Sequence, residues 1–367
     1  MRKPFVILFF ALMGCKSEKN QTLEVIDFDN IAVIPADWMI EKVVLLESDS
    51  SALLGEDVRV QYDDSGFFIM NRIDAKRIHH FSPSGQHLGI AAKIGEAPGE
   101  FFQFEDFKLH GNSLFLISGR GNSLSLHRIS MAHELEATSA IPHYAFSFQP
   151  RENGDFWFYS GYYEVAGDHR LFITDGSGKL KSELLQNKVP PIGQFGGYAF
   201  FQGDDRILFH EPLKTTVWEI LPGDSIKEAY RFDFGSYTAP EEYWEQDLFA
   251  GFGNLMNKGV TDISYVLESE RYLLADIVTY KEMEKSKMLY LKNKKTHKEY
   301  KIKVNQEDYG HFYSPIGIED DQIVFYAYAG YLARNRENLN LSKEAKSSLA
   351  NLTEDANSVI LYAKIPE

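Results

Sequence analysis

Paired acids recur at one place in a repeating pattern, and they are the first residues whose type and spacing could do chemistry. Asp63-Asp64, Asp204-Asp205 and Asp320-Asp321 each stand just before a run of apolar residues. Carboxylates converging from several such positions would give calcium its oxygen ligands in a central channel. Turn chemistry, in which Asp bonds nearby backbone, accounts for the same acids more simply. His79-His80 lies on an extended stretch, where neighbouring side chains point to opposite faces, so the pair cannot chelate one ion. No Gly-x-Ser-x-Gly, His-Glu-x-x-His, phosphate-loop or EF-hand pattern occurs, so no catalytic residue is assigned. The segment from Tyr280 to Lys303 holds nine lysines. It offers a dock for an acidic partner, but a solvated outer hairpin whose lysines guard an edge is the better reading. Tyr162-Tyr163 and Phe195-Gly196-Gly197-Tyr198 have rings able to stack on a sugar or peptide, and packing explains them better.

The chain has a single cysteine, Cys15. Before it come Arg2 and Lys3, the apolar run Phe5 to Met13, and Gly14. That run has the length of a signal-peptide core and is too short to span a bilayer. Leu12-Met13-Gly14-Cys15 resembles the lipobox of bacterial lipoproteins, in which the chain is cut before the cysteine and the cysteine is acylated. The resemblance implies a signal peptide over 1–14, lipid attachment at Cys15 and no free thiol in the mature chain. Thiol catalysis and cysteine metal sites are then excluded. Residues 15–39 read as a polar tether.

Acids outnumber bases 53 to 38, a net charge of −15. Losing Arg2 and Lys3 with the leader takes it to −17. Such a surface repels phosphate backbones and anionic lipid, so no nucleic-acid partner is expected and membrane contact is by lipid anchor only.

The elements that must position these residues come from a repeat. Continuously apolar runs start at Phe67, Leu114, Phe156, Ile207, Tyr272 and Ile323, at steps of 47, 42, 51, 65 and 51 residues. Each follows a turn signal, and most are followed by a strand of mixed polarity ending in a tight turn, such as Ile78 to Phe81 before Ser82-Pro83-Ser84-Gly85. A unit of this size built from strands and turns is a propeller blade. The runs read as inner strands covered on both faces by neighbouring blades. The high aromatic content, 14%, suits the wedge between blades.

Six runs predict an all-β, six-bladed β-propeller over 40–367, with short helical insertions. Val43 to Glu47 is a spare strand at the start, and Val359 to Ile365 lacks a partner at the end. Pairing them would close the ring and remove an exposed edge. Two insertions read as helical: Thr238 to Leu255, with Thr238 as N-cap and Trp244, Leu248 and Phe249 on one face, and Ser342 to Leu352.

The stretch Lys93 to Phe101 contains Gly95, Pro98, Gly99 and Glu100. It resembles the Gly-x-Gly-Pro-Gly-Glu-aromatic loop of six-bladed β-propeller lipoproteins abundant in Bacteroidota, relatives of NHL and TolB-like propellers. Ala97 stands where that family commonly has a second glycine. Ser51 to Gly55, Phe81 to Gly85 and Asp355 to Tyr362 resemble other parts of the pattern. Pro98 and Gly99 suit the second and third positions of a type II turn, and Glu100 can accept backbone N–H bonds beside it. The loop is therefore expected to be structural.

Two functions follow as expectations. The first is a non-catalytic binding or scaffold propeller, lipid-anchored in the outer membrane on its periplasmic or outer side, with an envelope protein, peptide or glycan as partner and no cofactor. The second, implied by NHL-like relatives, is a metal-dependent hydrolase or lyase with its site in the central channel.

Overall fold

The computed structural model describes residues 23–365 except Asp49, 56–57, 72–76, 192–193, Asp204 and 305–311, and leaves out the side chain of Phe249. Cys15, the leader over 1–14 and Asp204 lie outside the described residues.

Six antiparallel blades follow one another along the chain, each with four strands in meander order. Blade 1 is Val58–Asp63, Gly66–Asn71, Arg77–Phe81 and His87–Lys93. Blade 2 is Gln103–His110, Ser113–Arg120, Ser123–Ser130 and Leu135–Ala140. Blade 3 is Ser147–Pro150, Phe156–Tyr159, His169–Thr174 and Leu180–Gln186. Blade 4 begins at Phe200–Gln202 and ends at Ser225–Asp233; blade 5 runs from Val260–Glu268 to Glu299–Val304. Blade 6 joins Ser314–Glu319, Gln322–Ala327 and Val359–Lys364 to Ile40–Leu45 from the other end of the chain. The protein is thus an all-β six-bladed propeller, closed by the N-terminal strand as the spare-strand argument predicts.

The apolar runs need one correction. In every blade they form the second strand, not the one nearest the axis. Gly66–Asn71 and Phe156–Tyr159 are buried at every residue. A second strand is covered by sheets on both faces and so has no polar face. The first strand borders the axial channel, and Gln61, Lys108, Gln149 and Gln202 come from first strands there.

Residues 15–39 were expected to be a tether. From Glu24 onward the segment is instead laid on the ring. Glu24–Asp27 adds in parallel to the outer strand of blade 4, and Val33–Ile34 adds in parallel to that of blade 5. Val25 is 60% exposed while Ile26 is 1% exposed, the alternation of a half-buried edge strand. Lys292 reaches Glu24 at 2.5 Å, and Lys301 Nζ donates to the Phe28 carbonyl at 2.7 Å. The lysine-rich segment is an outer hairpin solvated only in part: Lys281, Lys285, Lys295, Lys298 and Lys303 are exposed, but Lys287, Lys292 and Lys301 are buried, with Lys287 paired to Asp276 at 2.8 Å.

The first predicted helix also starts later. Pro240 opens a 3-10 turn over Glu241–Glu245, and Gln246 is extended. Asp247 then caps the α-helix Leu248–Lys258, accepting from the Ala250 N–H at 3.0 Å. Thr238 is not its N-cap but ends the 3-10 turn Gly235–Tyr237, donating its N–H to the Gly235 carbonyl. Trp244 and Leu248 are buried as expected, beside Tyr162 and Leu213. Ser342 does cap the helix Lys343–Leu349.

Candidate functional site

The first strand of each blade runs from what we term the upper end of the ring to the lower. Lower connections hold at most five residues, whereas all three α-helices fall in upper connections. Five of the exposed large apolar side chains lie on upper loops: Leu53, Phe102, Val165, Val189 and Met283. Among the described residues the lower turns hold none.

A cavity of about 670 Å³ opens at the upper end, where residues of blades 1 and 2 meet the loop before blade 4. Its wall includes Gly95, Glu96, Phe102, Gln103, Glu105, Arg120 and Tyr198. Phe102 is 45% exposed, and the Arg120 guanidinium lies 4.9 Å from its ring centre. Arg120 is also 3.9 Å from Glu96.

The loop predicted to be structural shapes this wall. The Glu100 N–H donates to the Ala97 carbonyl at 2.9 Å, and Gly99 has φ +83°, as a turn led by Pro98 requires. Glu100 folds back on its own loop. Lys93 donates to its Oε1 at 2.7 Å and the Ala97 N–H to its Oε2 at 3.1 Å. These bonds, the lysine's first, hold the Glu100 carboxyl below its ordinary range. A Cβ on Gly95 would sit 1.8 Å from Glu100 Oε2, so any side chain there displaces the Glu100 carboxylate. Gly95 and Glu96 therefore line the cavity, while Glu100 props them from behind.

Deeper along the axis lies a charged layer that sequence reasoning missed. Arg59 Nη2 is 2.8 Å from Asp106, both buried, and the Arg59 guanidinium stacks 3.5 Å from the Tyr198 ring centre. Asp106 Oδ2 accepts from Ser147 Oγ at 2.8 Å and from the Phe148 N–H at 3.3 Å. Lys108 Nζ donates to the Phe200 carbonyl at 2.8 Å and borders a second axial cavity of about 600 Å³. Burial, then the nearby Arg59 charge, push Lys108 down to about 7 against the pull of Asp106. Charged residues alternating on the strands that precede the apolar runs were the available signal.

The other candidates disperse. Asp63 accepts from the Ser65 N–H of its own turn at 2.8 Å, and Asp321 pairs with Arg271 at 2.8 Å. His79 faces His87 at 3.2 Å and His80 faces His133 at 3.0 Å, on opposite faces of one strand. Among the described residues no group of three or more His, Cys, Asp or Glu side chains is arranged to hold a metal ion. Tyr162 stacks on Trp244 with centroids 4.8 Å apart, and Tyr163 meets Tyr144 edge-on at 4.9 Å. Among the described residues no helix is long and apolar enough to cross a membrane.

Comparison with known proteins adds family and fold. A family model described as "Domain of unknown function (DUF4934)" matches residues 41–364. The crystal structure of a Bacteroides fragilis protein named as exported superposes with a TM-score of 0.76 at 17% identity, over 94% of this chain and 99% of that one. A member of the DUF4221 family from Bacteroides vulgatus superposes at 0.54 with 11% identity, over 90% and 98%. At these identities the likeness is one of fold. No curated protein matches the sequence.

Proposed function

This chain belongs to the DUF4934 family, and from that premise we propose that it is a non-catalytic binding module of the cell envelope, anchored by lipid at Cys15, which takes its ligand at the upper end of the ring. One observation carries the reading. The helix Leu248–Lys258, five of the exposed large apolar side chains and the 670 Å³ cavity lie at one end, against short turns at the other. A concave site of that volume, rimmed by mixed polar and aromatic groups, is of ligand-binding size. The rigid ring holds its loops as a scaffold holds a recognition surface.

The envelope location draws on Leu12-Met13-Gly14-Cys15 and on the exported Bacteroides fragilis protein of the same fold. On this reading Cys15→Ser abolishes labelling of the protein by a palmitate analogue and releases it from the membrane fraction. Labelling that survives the substitution sinks the anchor.

For the binding role, a photo-crosslinking amino acid is placed at Phe102 on the upper end and at Ser84, exposed on the lower. Crosslinked product is expected from position 102 in cells and not from 84. Equal yields at both, or none at 102, would overturn the assignment.

A further inference from the structure

We infer that the ligand of the upper cavity is a neutral oligosaccharide, an inference that rests on the binding role just assigned to that end. A pyranose presents a flat face of C–H groups ringed by hydroxyls. It needs an exposed flat apolar surface with planar hydrogen-bonding groups around it. Phe102 supplies the surface, nearly half exposed on the wall of a cavity rather than packed into the core. The Arg120 guanidinium extends that surface, and Glu96 and Gln103 lie on the same wall. Gln103 Nε2 donates to Glu105 Oε1 at 2.9 Å, which holds one carboxamide proton and leaves the other for a hydroxyl.

Two glycines, Gly95 and Gly119, also line the wall. A Cβ on Gly119 would meet the Ser123 backbone carbonyl at 2.1 Å, so that position is confined to glycine, whereas one on Gly95 would displace the Glu100 carboxylate.

Two observations turn the choice away from other polymers. A peptide added as a strand needs a regular row of free donors and acceptors. The strand in the wall, Gln103–His110, shifts register between Phe104 and Asp106, which breaks such a row. A polyanionic glycan needs an uncompensated cation. Arg120 already has Glu96 at 3.9 Å, Arg59 is committed to Asp106, and the chain carries a net charge of −15. A neutral saccharide needs neither.

The test uses the purified protein and calorimetric titration with glucan, mannan, xylan and galactan oligosaccharides of four to six units, trigalacturonic acid, and an unstructured peptide pool. At least one neutral oligosaccharide should bind. Phe102→Ala should weaken it by ~10-fold, the loss of one aromatic stacking contact. Phe102→Trp should preserve or tighten binding, and Leu135→Ala, on the outer strand of blade 2, should leave it unchanged. Tighter binding of trigalacturonic acid overturns the neutral class, and tighter binding of peptide overturns the saccharide class. So does the absence of binding by every neutral probe while position 102 still crosslinks in cells, and in that case the upper-end site itself stands. If neither binding nor crosslinking occurs, both readings fall together.

Discussion

The side-chain amide of Asn357 donates to the backbone carbonyl of Ala52 at 2.7 Å, joining residues 305 positions apart. The same amide donates to the Glu47 carbonyl at 2.6 Å, and its oxygen accepts from the Leu54 N–H at 3.0 Å. Asn357 is 5% exposed and sits just before the strand that pairs with Ile40–Leu45. It is therefore a clasp at the seam of the ring. Asn357→Ala leaves two carbonyls and an N–H without that partner, at a cost of about 1 to 3 kcal/mol for each group that stays buried. A loss of ~3 kcal/mol in denaturant unfolding is expected. Asn357→Asp should cost at least as much, because it sets a carboxylate against two carbonyl oxygens. A loss below ~1 kcal/mol would show that the strand pairing closes the ring unaided.

The N-terminal strap makes a second prediction. Lys301 Nζ donates to the carbonyls of Phe28 and Asp29 at 2.7 and 3.2 Å. The Lys301→Met variant keeps the stem that packs there but removes both donors. Hydrogen exchange should speed up across residues 24–34 while the second strands of the blades keep their protection. Uniform acceleration throughout the ring would mean that the strap is part of the global fold rather than a separate layer.

These two features show what a sequence can carry. The six apolar runs were visible because a strand covered on both faces has no polar positions, and the unpaired strand at each end of the repeat implied the closure. The strap was not visible. Four residues that add to an edge bury only Ile26 fully, and a short polar segment with one buried residue looks like a linker. Arg59, Asp106 and Lys108 escaped for a related reason: on alternating strands a charge facing the channel looks the same as one facing solvent. Thr238 and Asp247 both had the chemistry of a helix cap. The extended backbone at Gln246, which no propensity marks, decided between them. Gly95 and Glu100 were legible as a turn, but their place at the rim of a cavity depends on which blades meet there.

Acid should loosen blade 1. Burial, then the His87 and Arg77 charges, hold His79 down to about 4, and burial lowers His80 and His133 as well. Groups of depressed pKa favour folding above their unfolded value. The unfolded chain takes up the proton near 6.5, so stability is lost as pH falls from 6.5 toward 4. For His79 the loss approaches ~1.4 kcal/mol per pH unit across that window. In His79→Leu, unfolding midpoints between pH 6.5 and 4 should fall less steeply than in the parent. An unchanged slope would remove His79 from the account.

The loop of Gly95 and Glu100 predicts a local effect. Gly95→Ala places a methyl where Glu100 Oε2 lies, so the carboxylate must leave Lys93 and the Ala97 N–H. Glu100 is at the surface, and the global stability change should be small. The rim of the cavity should move instead. Resonances or crosslinks at Phe102 should change in Gly95→Ala and less so in Glu100→Gln, which keeps an acceptor. A parent-like rim in Gly95→Ala would separate the loop from the site.

The axial layer predicts opposite outcomes for neighbouring charges. Asp106 is the carboxylate beside Arg59, and it also accepts from Ser147 and Phe148. Asp106→Asn leaves a buried guanidinium without its counter-charge, and breaking a buried pair in this way costs about 3 to 5 kcal/mol. Lys108 differs, because burial and the charge of Arg59 already press it toward neutrality at about 7. Lys108→Met gives up one bond to the Phe200 carbonyl but also removes a desolvated amine, so its effect should stay within about 1 kcal/mol. The sign of the pH dependence separates the two. Between about 7 and the amine's unfolded value of 10.5, the folded chain binds fewer protons than the unfolded one, so stability should rise with pH. Lys108→Met should abolish that alkaline rise, and Asp106→Asn should leave it in place beneath a much lower baseline. If Lys108→Met keeps the rise, the amine is charged in the folded state and the channel is wetter than its burial implies.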